Sequence, residues 1–262
     1  MNLIAIDIGN TNITFELFLK GESECTETIR GEDTEKLRKT LLLFWEKIPF
    51  VKNSKEEKRD GAIAVCSVNP EWTAVIADIA KTNPGERIYV VGKDIPYPIE
   101  LSVDQPDKIG ADRVLCCAAA FSVIEDAVVV ADFGTAVTID IVDQNGIFQG
   151  GVICPGFEIS AKALHENTAL LPKINVTRPD SPFGKNTEDA INCGLYYSAI
   201  AALQEITGRF AEKIGQWPQT VITGWGAKII KEDCDFVDSY VPNLVTKGVA
   251  LAWRKYREEK ME

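Results

Sequence analysis

A turn that holds a phosphate must aim backbone N–H groups at oxygen and keep bulky side chains out of the way. Two stretches of this chain have that make-up. In the first, an apolar run ends in Asp7-Ile8-Gly9-Asn10-Thr11-Asn12, after which Ile13, Phe15 and Leu17 alternate with Thr14 and Glu16. In the second, the apolar run 127–131 ends in Asp132-Phe133-Gly134-Thr135-Ala136 and leads into 137–142. Each reads as strand, polar turn, strand. Each Asp precedes the glycine of its own turn by two positions and the glycine of the next turn by 14, counting Asp7 to Gly21 and Asp132 to Gly146. The shared spacing predicts duplicated units, one in each half of the chain. An Asp closing an apolar strand can anchor hydrated Mg²⁺ while Thr11 and Asn12 face the phosphates. Either turn alone fits an ordinary hairpin equally well, because Asn and Asp favour turns anyway; the recurrence favours phosphate.

Asp112 follows Gly110 and precedes Arg113 at the expected start of an Ala/Cys-rich apolar helix. Two roles stand open there. The carboxylate can cap the helix, or it can act as a general base with Arg113 clamping an anionic substrate. Thr223-Gly224-Trp225-Gly226-Ala227 follows a short strand, and its glycines suit either a strand-to-helix turn or close approach of a flat base. Gly184-Lys185 is not a P-loop, since Asn186 replaces the required Ser/Thr and no glycine stands five residues before Gly184. His165, the single histidine, excludes an H-E-x-x-H metal site and is expected on a helix surface. Trp45, Trp72, Trp217 and Trp253 are assigned to packing.

The elements that must position these residues alternate between strand and helix, which predicts α/β layers. Helices are expected over 34–47, after Asn69-Pro70, after Gly110, around 159–167, from Glu188 onward and over 246–260; strands are expected over 62–67, 88–91 and 220–222, with a charged loop over 52–60. From Ile191 to Phe210 the apolar positions recur every three to four residues, the mark of a long amphipathic helix. A length of 262 residues suits two domains, here 1–115 and 116–262.

Composition narrows the partners. A formal charge of −11 opposes binding to a phosphate backbone, so nucleic acid is not expected. Seven scattered cysteines without a C-x-x-C pair disfavour a disulfide framework or a zinc site and suit a reducing cytoplasm. No apolar run reaches the ~18 residues of a membrane span, and the first residues read as a strand rather than a signal peptide.

In order and spacing, the Asp7 to Asn12 turn, Gly110-Ala111-Asp112-Arg113, Asp132 to Ala136, Gly150-Gly151 with Pro155-Gly156, Gly184-Lys185-Asn186-Thr187 and Thr223-Gly224 together resemble the type III pantothenate kinases over essentially the whole chain. The resemblance implies two ribonuclease-H-like domains related by duplication around a nucleotide cleft, the fold of the acetate and sugar kinase/Hsp70/actin superfamily. It implies transfer of the ATP γ-phosphate to pantothenate, the first step toward coenzyme A, by a homodimer. ATP would lie along Asp7, Ile8, Gly9, Asn10, Thr11, Asn12, Ile13 and Thr14 and touch Thr135, with Asp7 near Mg²⁺. Gly110, Ala111, Asp112, Arg113 and Thr187 would contact pantothenate, with Asp112 as the base. Asp132 would hold a monovalent cation, K⁺ or NH₄⁺. Two positions depart from the family pattern: Trp225 replaces a second glycine near the expected adenine pocket, and Val103 stands where some members place a tyrosine. A non-catalytic binding relative and a kinase for another small acceptor are the rival readings.

Overall fold

The computed structural model describes residues 1–51 and 58–260, so residues 52–57 of the expected charged loop lie outside the described residues. In chain order the elements are β1 (Leu3–Ile8), β2 (Asn12–Leu19), β3 (Glu22–Arg30), α1 (Thr34–Lys47), β4 (Ala62–Ser67), α2 (Pro70–Thr82), β5 (Ile88–Val90), β6 (Glu100–Leu101) and α3 (Ala111–Ile124). Then come β7 (Val128–Phe133), β8 (Ala136–Val142), β9 (Ile147–Pro155), α4 (Phe157–Glu166), α5 (Thr187–Ile214), β10 (Gln219–Thr223), α6 (Ala227–Ile230), β11 (Ser239–Tyr240) and α7 (Leu244–Glu259).

The chain forms two compact units, one of Met1–Ile99, Gln105–Ala119 and Val245–Glu262, the other of Glu100–Asp104 and Ala120–Leu244. One cut after residue 115 does not describe them. The cut falls inside α3, and the last helix packs with the first unit: Thr246 donates to Glu16, and the Trp253 ring lies 4.8 Å from Tyr89.

The first unit carries a five-stranded sheet in the order β3-β2-β1-β4-β5. β1 is antiparallel to β2 and parallel to β4. One face is apolar. Ile4, Ile6 and Ile8 oppose Leu17, Phe15 and Ile13, and Leu37, Leu41 and Phe44 of α1 with Ile76 and Ile79 of α2 complete this core. Each fully buried side chain of this size contributes about 1.5–3 kcal/mol. Both helices start on side-chain caps: Asp33 accepts from the Lys36 N–H at 3.1 Å and Asn69 from the Trp72 N–H at 3.2 Å.

The opposite face changes character along the strands. Away from the turn it is closed by α7, through the Thr246–Glu16 hydrogen bond and the Trp253–Tyr89 ring pair. α3 packs there on α7 so closely that a Cβ on Gly248 would stand 2.2 Å from the Leu115 carbonyl oxygen. At the carboxyl ends of β1 and β4 the same face ends in a polar row, Thr28, Thr14, Asp7 and Cys66, each the register partner of the next.

The second unit repeats the plan. Its sheet runs β11-β10-β7-β8-β9-β6, so that β9-β8-β7-β10-β11 reproduces the order of the first sheet, with β6 added at one edge. Gly21 and Gly146, the glycines whose spacing predicted the duplication, both adopt positive φ, 96° and 79°, and both second strands shift register near their ends. The first turns differ by one residue: Ile8 pairs with Ile13, whereas Phe133 pairs with Val137.

The strands β3 and β9 are absent from the sequence expectations. β3 is polar and mostly exposed, and β9 holds Gly150 and Gly151, so neither shows the apolar alternation of a buried strand. Trp217 does not serve packing, being 63% exposed, whereas Trp45 and Trp253 are buried and Trp72 lies against the core.

Candidate active site

In the first unit the turn after Asp7 is closed by the Gly9 N–H donating to the Asn12 carbonyl at 3.0 Å, and the Gly31 N–H reaches the Thr11 carbonyl at 3.2 Å. Asp7 and Ile8 therefore end β1, Gly9 to Thr11 form the turn, and Asn12, Ile13 and Thr14 begin β2. The Thr14 and Thr28 hydroxyls are 3.1 Å apart, on the face that carries Asp7. Carboxyl ends of parallel strands are where α/β sheets place their chemistry.

Asp112 occupies the first turn of α3, one residue inside the helix, so its carboxylate does not take the capping position. Its Oδ1 accepts from the Arg113 N–H at 2.9 Å. Gly110 makes room for it: a Cβ there would stand 2.5 Å from that oxygen. Burial raises the Asp112 pKa above its ordinary value, and the Arg113 N–H and charge offset part of the rise. A half-buried carboxylate with a raised pKa is suited to accept a proton.

Two further side chains join Asp7 and Asp112 that sequence reasoning did not select. Cys66, fully buried at the end of β4, is the register partner of Asp7. Burial pushes its thiol pKa well up, and the charges of Asp7 and Asp112 push it further. Tyr97 is raised by burial first, then by Cys66 and Asp112. Its hydroxyl lies over Gly92, where a Cβ would come within 2.7 Å of it. The one available signal was that Cys66 ends its apolar strand as Asp7 ends its own; which strands are neighbours is invisible in the sequence.

In the second unit Asp132 and Thr223 are register partners on the parallel strands β7 and β10. The turn closes through the Gly134 N–H and the Ala136 carbonyl at 3.0 Å, and the Gly156 N–H donates to the Thr135 carbonyl at 3.2 Å. Gly224, at φ 85°, lies against the Asp132 carboxylate, where a Cβ would be 2.3 Å from Oδ1. Trp225 is 44% exposed between Gly224 and Gly226, and the Gly226 N–H donates to the Phe133 carbonyl at 2.9 Å. Val103 packs near Gly150 on β9. Thr187 opens α5 and is exposed; Asn186 caps that helix by accepting from the Asp189 N–H at 2.8 Å. His165 bonds the Leu171 carbonyl through Nδ1 at 2.7 Å on the exposed surface of α4, a local tie.

Asp7, Gly110 to Arg113, Cys66 and Tyr97 thus belong to the first unit, and Asp132, Thr135 and Thr187 to the second. Among the described residues no three metal-ligating side chains gather. Each turn offers one strand-end carboxylate, a donor set suited to a cation that keeps water and substrate oxygens as its other ligands.

A family model described as type III pantothenate kinase matches residues 3–209. The chain belongs to that family. A type III pantothenate kinase of Agathobacter rectalis is 34% identical over 259 residues, covering 97% of each chain. Another, of Dehalococcoides mccartyi, is 31% identical over 255 residues, covering 96% of this chain and 97% of the relative. Among solved structures, a Baf family transcriptional activator of Campylobacter jejuni superposes with a TM-score of 0.61 at 23% identity, covering 100% and 99% of the two chains. Component A of the (R)-2-hydroxyglutaryl-CoA dehydratase of Acidaminococcus fermentans gives 0.54 at 12% identity, covering 100% of both. These two likenesses speak for the fold alone, that of paired ribonuclease-H-like domains. No helix of this type III pantothenate kinase family member is long and apolar enough, among the described residues, to cross a membrane.

Proposed function

We propose that this protein transfers the γ-phosphoryl group of ATP to the primary hydroxyl of pantothenate, giving 4′-phosphopantothenate. The observation that carries the reading is the half-buried Asp112 carboxylate, in the same unit as the Asp7 turn and close enough in charge for both to act on Cys66. Asp112 accepts the hydroxyl proton at its carboxylate as the phosphoryl group leaves ATP. Its raised pKa makes the carboxylate a stronger base than an exposed aspartate. Arg113 binds the pantothenate carboxylate, and Gly110, Ala111 and Thr187 complete the acceptor contacts.

Asp7 to Thr14 bind the ATP phosphates, with the Gly9 turn keeping side chains away from the backbone, and Thr135 contributes a hydroxyl to the nucleotide. Asp7 would hold Mg²⁺ and Asp132 a K⁺ or NH₄⁺ ion, and these charges offset those of the crowded phosphate oxygens. The remaining parts of the reading are a homodimer acting in the cytoplasm, without nucleic acid or membrane as partner.

The test is purified protein with ATP and Mg²⁺, offered pantothenate and a panel of other small hydroxy acids and sugars, in K⁺ and again in Na⁺. Turnover selective for pantothenate and faster in K⁺ is expected. No turnover with pantothenate in K⁺ overturns the activity. Equal rates in both salts overturn the role of Asp132.

A further inference from the structure

The turn after Asp7 has a neighbour that the expected ATP contacts omit. β3 returns antiparallel to β2 and ends beside the turn, with Arg30 as the register partner of Asn12 and Thr28 as the partner of Thr14. Directly opposed residues point their side chains to the same face of a sheet, and their Cα atoms are about 4.5–5.5 Å apart. Thr14 is in turn the partner of Asp7, and the Thr14–Thr28 hydroxyl contact fixes that face. Arg30 therefore stands on the same face as the Asp7 carboxylate, one pair further toward the open end of the turn.

Its backbone is held there from both sides. The Asp33 N–H donates to the Arg30 carbonyl at 3.0 Å, and the next residue, Gly31, donates to Thr11 inside the turn at 3.2 Å. A Cβ on Gly31 would overlap the Trp72 ring at 2.2 Å, so the chain following Arg30 is wedged against α2. Arg30 and Thr28 line a groove of about 560 Å³ with Ile29, Glu32, Asp33 and Lys36. Lys36 and Asp33 are engaged there, Lys36 with Glu27 at 3.0 Å and Asp33 with the α1 N-terminus. The Arg30 side chain is exposed, and among the described residues its guanidinium makes no hydrogen bond or ion pair.

We propose that Arg30 is a further phosphate-binding residue of this kinase, a guanidinium fork that closes on the ATP phosphates held by the Asp7 to Thr14 turn. This inference rests on that turn being the nucleotide site. A planar guanidinium takes two phosphate oxygens in parallel hydrogen bonds, and a turn built mainly of backbone N–H groups otherwise supplies no positive side chain next to Asp7.

The experiment compares wild type, Arg30→Ala and Arg30→Lys by calorimetric binding of MgATP, MgADP and adenosine, then by steady-state kinetics. Expected for Arg30→Ala are MgATP affinity weakened about 10-fold or more, adenosine affinity unchanged, KM for ATP raised and KM for pantothenate unchanged. Arg30→Lys should recover part of the loss. Lys36→Ala, a charge removed from the same groove, should weaken MgATP less than about 2-fold. Equal MgATP affinity in wild type and Arg30→Ala overturns the proposal, as does an equal loss in Lys36→Ala, which would mean a diffuse field rather than a contact. Binding of MgATP without pantothenate turnover would instead count against the acceptor assignment and leave the Arg30 comparison standing.

Discussion

Asp7 and Cys66 face each other across the parallel pair β1 and β4, and the buried thiol lies in the fields of both Asp7 and Asp112. With its pKa pushed well up by burial and by those two charges, Cys66 stays a neutral thiol at physiological pH. A neutral group is the one that two neighbouring carboxylates tolerate. Cys66→Ser should therefore fold and retain turnover. Cys66→Asp puts a third negative charge in the same place and should lower unfolding free energy by about 3–5 kcal/mol. Urea denaturation and the kinase assay check both, and native alkylation should modify the partly exposed Cys25 and Cys154 while sparing Cys66.

Asp112 makes a pH prediction with a definite sign. As a base it must be ionised, so kcat/KM falls as pH drops through its folded pKa, and the acid limb should lie above the ordinary carboxylate value of 3.8. Because burial raises the folded pKa, ionisation weighs against the native state: the penalty is absent below the unfolded pKa and complete above the folded one. Asp112→Asn should lose about 100-fold or more in kcat, yet match or exceed wild type in thermal stability at neutral pH, with any gain fading at acidic pH. A pH-rate profile beside melting curves at several pH values checks both halves.

Gly224 is constrained twice, by φ of 85° and by the 2.3 Å that a Cβ would leave to the Asp132 carboxylate. Gly224→Ala should destabilise the protein by about 1–3 kcal/mol. It should also displace Asp132, so that any K⁺ advantage over Na⁺ in the kinase assay shrinks. A variant with wild-type stability and salt response would refute the constraint.

Glu16 is buried on the sheet, 2% exposed, and its carboxylate accepts from the Ser23 hydroxyl at 2.6 Å and from the Thr246 hydroxyl. Thr246→Val keeps the shape and removes the donor, leaving a buried oxygen short of a partner. Destabilisation of about 1–3 kcal/mol is expected, and amide exchange should rise in α7 more than in β1. Uniform exchange across both elements would count against Thr246 as the tie of α7 to the sheet.

Much of the plan was legible in local pattern. α1 and β4 occupy the predicted 34–47 and 62–67, because a capping Asp33 and a β-branched apolar run bounded by polar residues are local signals. The duplication was legible too, since Gly21 and Gly146 are each needed at positive φ for the same hairpin. β3 was not. Glu22 to Arg30 is polar because its surroundings are largely solvent, and only pairing with β2 makes it a strand. The departure of residues 245–262 from the second half was likewise hidden, because the α7 sequence shows an apolar face but not which sheet it will cover.

The candidate site divides the same way. Sequence by itself determined the family motifs, the two Asp-Gly turns and the acidic head of α3, because turn chemistry and helix starts are set by residues a few positions apart. Only the tertiary structure decided that Asp7 faces Cys66, that Gly110 leaves room for the Asp112 carboxylate and that Arg30 stands beside Asn12. Those relations join residues tens of positions apart or depend on backbone direction, and strand register with helix packing, rather than local propensity, sets them.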